Sequence, residues 1–106
     1  MHLFFANSQL EKLCTSPERA VKKYGARCAR ILLERLRQMR DAKDLETLTR
    51  IPGHYHPLTG SRKGQWACRL QGGLRLVFVP GAHGEMVIKE IAAPTLTIIE
   101  IKDYHH

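Results

Sequence analysis

Residues 64–81 read GQWACRLQGGLRLVFVPG: two runs of β-forming residues on either side of Gly72-Gly73. Large apolar residues alternating with polar ones, interrupted by a glycine pair, is the pattern of a β-hairpin. Two registers are open. A three-residue loop over 71–73 pairs Leu70 with Leu74 and Arg69 with Arg75, and Trp66, Cys68, Leu70, Leu74, Leu76 and Phe78 then share one face. A two-residue loop sets Arg75 beside Trp66 and Leu70. The first register keeps one face apolar and is the one expected, because a slip of one residue turns the whole apolar set toward water. It also makes Arg69 and Arg75 cross-strand neighbours on the opposite face. Like charges so placed are destabilising, and a bound anion is the natural compensation.

Toward the N-terminus, MHLFFA is a short β-type run. Asn7 or Ser8 suits an N-cap, and SQLEKLC reads as a short helix. TSPERAVKKYG restarts the helix, with Ser16 as cap, Pro17 at the first helical position and Gly25 just past the end. From Ala26 to about Ala42, apolar residues at Cys28, Ile31, Leu32, Leu36 and Met39 recur at helical spacing. Arg27, Arg30, Arg37 and Arg40 lie on the other side, as a solvated face or as a landing strip for phosphates or for an acidic partner segment. DLETL is a capped turn headed by Asp44. The segment TRIPGHYHPLTGSRKGQ over 49–65 has no period and reads as a long loop, and loops of that length in compact domains are usually functional or disordered.

Beyond the hairpin, EMVIKEIA over 85–92 and TLTIIEI over 95–101 are two further β runs. Strand, helices and then strands in a meander give an α+β class: the N-terminal strand and helices pack on one face of a small, mainly antiparallel sheet, the other face being open and carrying the arginines. Residues 1–106 are expected to form one domain.

The bulk numbers narrow the function. The apolar fraction of 43% is that of a folded domain. No apolar stretch approaches the roughly 20 residues of a transmembrane helix, and the first residues lack the basic and apolar regions of a secretory signal. Cys14, Cys28 and Cys68 have no metal-ligand spacing and read as small core or boundary residues in a reducing cytoplasm. Seventeen Lys and Arg against ten acids give a net charge of +7, a balance common in nucleic-acid partners. The distribution is sharper than the total, because no Asp or Glu occurs between Glu46 and Glu85. Arg50, Arg62, Lys63, Arg69 and Arg75 fall inside that window with His54 and His56.

Three groups can converge: the loop cations and histidines, the hairpin arginines, and Asp103, Tyr104 and His105 at the end of the sequence. Arginine and lysine stabilise charge growing on phosphoryl oxygens. Histidine gives or takes a proton near neutral pH, and an aromatic ring stacks on an unpaired base. With no carboxylate cluster to hold Mg²⁺, a metal-free route with the ribose 2′-OH as nucleophile is the natural one if RNA is cleaved, and neither a metal nor a cofactor is expected. His54 and His56, followed by Pro57, are an unpromising metal pair. Trp66, Tyr24 and Tyr55 read as packing residues.

Four motifs in order make the sequence similar to a known family. They are His56, Leu58 and Gly60; Arg62, Gly64 and Trp66; Arg75 to Phe78; and Asp103, Tyr104 and His105. Together they resemble the RelE/ParE superfamily of bacterial type II toxins, most closely the HigB (plasmid killer protein) branch, over nearly the whole chain. The resemblance implies a microbial-RNase-like α+β fold and a ribosome-dependent endoribonuclease that cuts mRNA in the A site, in contact with 16S rRNA. It also implies a helix-turn-helix antitoxin as partner. Its catalytic set, carried over by position, is His56, Arg75, Asp103, Tyr104 and His105, with Arg75 on the scissile phosphate and His105 as general acid or base. Arg50, His54, Arg62, Lys63 and Arg69 are the expected RNA-binding residues, and His106 is spare. Two positions depart from the family pattern: Thr59, where relatives often carry lysine, with Lys63 as a compensating cation, and Leu74, where they often carry an aromatic residue. A binder that does not cleave is the alternative those departures raise, and a gyrase inhibitor of the ParE kind is a third reading.

Overall fold

The computed structural model describes residues 1–81 and 94–104. Strand β1 (His2–Phe5) leads into helices α1 (Ser8–Thr15), α2 (Pro17–Tyr24), α3 (Ala26–Asp41) and α4 (Leu45–Thr49). Strands β2 (His56–Pro57), β3 (Trp66–Arg69), β4 (Leu74–Pro80) and β5 (Thr95–Asp103) follow, with one 3₁₀ turn at Gly60–Arg62. The expected β run over 85–92 lies outside the described residues.

Local chemistry sets the helix boundaries. Asn7 Oδ1 accepts from Leu10 N at 2.8 Å, and Ser16 Oγ accepts from Arg19 N at 3.4 Å. Each side chain satisfies an amide that the first helical turn leaves without a partner. Pro17 cannot donate its own amide, so the chain breaks into α1 and α2 at Ser16. Gly25, at φ +88°, turns the chain from α2 into α3.

The described strands form one mixed sheet in the order β1-β5-β4-β3-β2. β1 runs parallel to β5, and the other pairs are antiparallel. The hairpin takes the three-residue register, with Cys68 opposite Leu76 and Arg69 opposite Arg75. Cys68, Leu70, Leu76 and Phe78 are buried against Leu32, Leu36 and Met39 of α3, with Leu96 and Ile98 of β5 in the same core and Trp66 and Leu74 packed on it. The α+β class and the placement of helices on one face therefore hold.

Two features differ from the sequence reading. The 49–65 segment is not a bare loop, because His56 and Pro57 pair with Ala67 and Trp66 as an edge strand. Proline, with no amide to donate, is at home on an edge. The arginine-bearing face is also not open at its centre, where Ala67, Val77 and Thr97 are each buried to 1% exposure or less.

β5 carries the irregularity that organises the sheet. Its register against β4 shifts at Val77/Phe78, so Phe78 faces Ile98, Val77 faces Glu100, and Ile99 is the extra residue of a bulge. Strict alternation would put Ile98 and Glu100 on the same face. With the bulge, Ile98 and Ile101 both reach the core side while Glu100 and Lys102 lie on the other.

Candidate functional site: a cationic row on the exposed end of the sheet

The cross-strand register places Arg69, Arg75 and Lys102 side by side in one row across β3, β4 and β5, on the face away from the helices. The next row is His56, Ala67, Val77 and Glu100. A histidine thus stands at the end of a small-residue floor, one row from three fixed cations. Arg75 Nη1 donates to the carbonyls of Gly72 and Leu74, both at 3.0 Å, which holds the guanidinium at the hairpin end. Lys102 Nζ lies 5.8 Å from the centroid of the Tyr104 ring, a cation–π contact. Tyr104 is tied to the hairpin by its amide, which donates to Gly73 O at 2.9 Å. The Tyr104 hydroxyl is buried and has no hydrogen-bond partner among the described residues.

The structure distributes the remaining expected site residues unevenly. Arg62 is half-buried in an ion pair with Glu100, so its charge is directed to the sheet. Arg50 pairs with Glu46 at 2.7 Å on the exposed surface of α4. Lys63 is exposed just after the 3₁₀ turn. His56 Nδ1 is 2.8 Å from His54 O, and the two imidazole rings meet edge-on at 5.5 Å between centroids. Asp103 is paired with Leu74, which puts it on the helix side of the sheet, opposite to Arg75 and Lys102. His105 and His106 lie outside the described residues.

Packing confirms the structural roles read for the aromatic residues. Trp66 stacks on Phe78 at 6.5 Å and 27°. Tyr55 is buried, and its hydroxyl lies 2.8 Å from Gln38 Oε1 and 3.1 Å from Arg35 O, sharing its one proton between these acceptors and pinning the loop to α3. Burial pushes the Tyr55 phenol well above its ordinary range, with Cys68 adding to the shift and Arg35 opposing it. Among the described residues, no third His, Cys, Asp or Glu joins His54 and His56 in a group that could hold a metal.

Lys102 is the site residue that the sequence reading missed. Its place beside Arg75 depends on the bulge at Ile99, and the only signal in the sequence is a lysine two residues before Tyr104. Chemically, three cations in a row can hold a phosphodiester, and the His56 imidazole, one row away on the strand next to that of Arg69, can exchange a proton at that end of the row.

No family model matches the sequence, and no curated protein matches it. Among solved structures, a YoeB/ParE toxin from Agrobacterium tumefaciens matches over 99% of this chain and 100% of its own, with a TM-score of 0.63 and 19% sequence identity. The chain has the α+β fold of that toxin. None of the described helices is long and apolar enough to cross a membrane.

Proposed function

We propose that this protein is the toxin of a type II toxin–antitoxin pair, of the HigB-like branch, acting in the cytoplasm as a ribosome-dependent endoribonuclease on mRNA in the A site. The observation that carries the proposal is the row Arg69–Arg75–Lys102, with His56 one row away on the strand next to that of Arg69, on a sheet with the fold of a YoeB/ParE toxin. In the proposed reaction the ribose 2′-OH gives up its proton and its oxygen attacks the adjacent phosphorus. The bond to the 5′-oxygen breaks, that oxygen takes a proton, and a 2′,3′-cyclic phosphate remains. Arg75 would steady the phosphate, with Arg69 and Lys102 adding to the positive field on the phosphoryl oxygens. His56 and His105 would be the proton carriers. Tyr104 would stack on or orient the nucleotide. Asp103, on the helix side, would act by positioning its neighbours. Arg62, through Glu100, would hold β5 and with it Lys102. Arg50, His54 and Lys63 would meet RNA away from the cut. Contacts to 16S rRNA would complete the substrate complex, and a helix-turn-helix antitoxin would be the neutralising partner.

Growth of cells expressing the protein tests this reading. Expression should arrest growth, and Arg75→Ala or His105→Ala, each with an unchanged far-UV spectrum, should abolish the arrest. Full toxicity of both variants would refute the assigned site.

A further inference from the structure

A groove of about 500 Å³ opens between α3 and the loop that follows α4, lined by Arg35, Gly53, His54 and Arg69 among others. We propose that it is a second phosphate-binding subsite for the single-stranded RNA chain, with Arg35, Arg69 and His54 as its ligands. The inference rests on the function proposed above and extends the substrate path beyond Arg75.

The groove is built rather than incidental. Gly53 has φ +135°, and a Cβ there would stand 2.7 Å from Tyr55 Cε2 and 3.2 Å from Arg35 Nε. Only glycine brings the backbone that close to the guanidinium. Gly53 O accepts from Arg69 N at 2.8 Å, and Arg35 Nε donates to Arg69 O at 2.8 Å. Helix, loop and strand are therefore tied at one point. With Nε engaged, the two terminal nitrogens of Arg35 are the fork left for a ligand, a geometry suited to a phosphate. His54 sits at φ +61°, a left-handed conformation uncommon outside glycine, in which strain of this kind is concentrated at functional positions. Among the described residues, neither Arg35 nor Arg69 takes part in an ion pair. Arg35 and Arg69 both line the groove and no carboxylate does, which makes it a site for an anion.

Continuity with the sheet face identifies the anion as part of a chain. Arg69 lines the groove and is also the cross-strand neighbour of Arg75. His54 lines it and is in ring contact with His56. A strand of RNA leaving Arg75 would pass both junctions, so its next phosphates would meet Arg35.

Binding of a non-cleavable 2′-O-methyl hexanucleotide, followed over a range of salt concentrations, tests this. Arg35→Gln and His54→Asn, the latter chosen because asparagine tolerates positive φ, should each weaken hexanucleotide binding roughly tenfold. Arg35→Gln should also lower the log–log salt slope by about 0.7, the value for one phosphate contact on a single strand. Arg35→Lys should keep most of the slope, and it replaces Arg35→Gln as the deciding variant, through loss of affinity, if the latter does not fold. Unchanged affinity and slope in folded variants would overturn the subsite. So would wild-type binding of a mononucleotide as tight as that of the hexanucleotide, which would mark the groove as a site for free phosphate. Binding is read without cleavage, so the subsite and the nuclease reading can fail separately: a protein that cuts normally with an unaltered slope in Arg35→Gln loses only the subsite, and one that shows the slope change but never cuts loses only the nuclease.

Discussion

Arg75 and Lys102 are direct cross-strand neighbours on β4 and β5, and Arg69 occupies the other side of Arg75. Three like charges in one row oppose folding, by roughly 0.2–1 kcal/mol for each directly opposed pair. Hydrogen bonds from Arg75 to the carbonyls of Gly72 and Leu74 offset part of that. The rest is a standing bias toward an anionic ligand. Lys102→Gln should therefore leave the thermal midpoint unchanged or slightly higher, while lowering the salt slope of RNA binding by about 0.7. A lower midpoint together with unaltered RNA binding would show that Lys102 serves the fold instead.

Arg62 should behave in the opposite way. Its guanidinium is half-buried on Glu100, and its Nε is buried without a partner among the described residues. Arg62→Gln should destabilise the protein by about 1–2 kcal/mol, the range of a charge-assisted bond in a partly screened setting. The salt slope of RNA binding should stay as it is. Urea unfolding and the binding titration separate the two effects, and a reduced slope at full stability would make Arg62 a direct phosphate ligand.

Thiol burial sets an alkaline limit. Burial pushes the Cys14 and Cys68 thiols up to about 12 each, with Arg40 and Arg35 respectively acting in the opposite direction. In the unfolded chain these thiols ionise near pH 8.5. Stability from the two neutral thiols is thus fully present below about pH 8 and is lost as the pH rises from there toward 12. The urea midpoint should fall between pH 8 and pH 10, and the Cys14→Ala, Cys68→Ala double variant should show a flatter profile. Equal pH dependence in both proteins would mean that other groups control the alkaline transition.

The hairpin was legible in the sequence because its polar and apolar residues alternate cleanly, so only one register kept arginine out of the core. The caps at Ser16 and Asp44 were legible for a similar reason, since each is a short polar side chain placed at a helix start, whereas Asn7 and Ser8 both suited the first cap and the structure selects Asn7. β2 was not, because two residues carry no period and one of them is proline. TLTIIEI concealed the bulge at Ile99: either alternating choice puts an isoleucine on the wrong face, and only pairing with β4 selects the irregular solution. Lys102 and the Arg62–Glu100 pair depend on that choice, which is why neither could be read beforehand. Arg35 was hidden among the other arginines of α3, and what distinguishes it is its contact with the backbone of Arg69, 34 residues away.

The most direct test is primer extension on a defined mRNA bound to purified ribosomes, comparing wild type with Arg75→Ala and an all-ribose message with one carrying a single 2′-deoxy nucleotide at the cut position. The wild-type protein should produce new 5′ ends only when ribosomes are present, Arg75→Ala should reduce them at least a hundredfold, and the 2′-deoxy nucleotide should remove them at that position. An intact message on ribosomes that retain the bound protein, or cutting that persists at the 2′-deoxy position, would contradict a nuclease that works through the ribose hydroxyl.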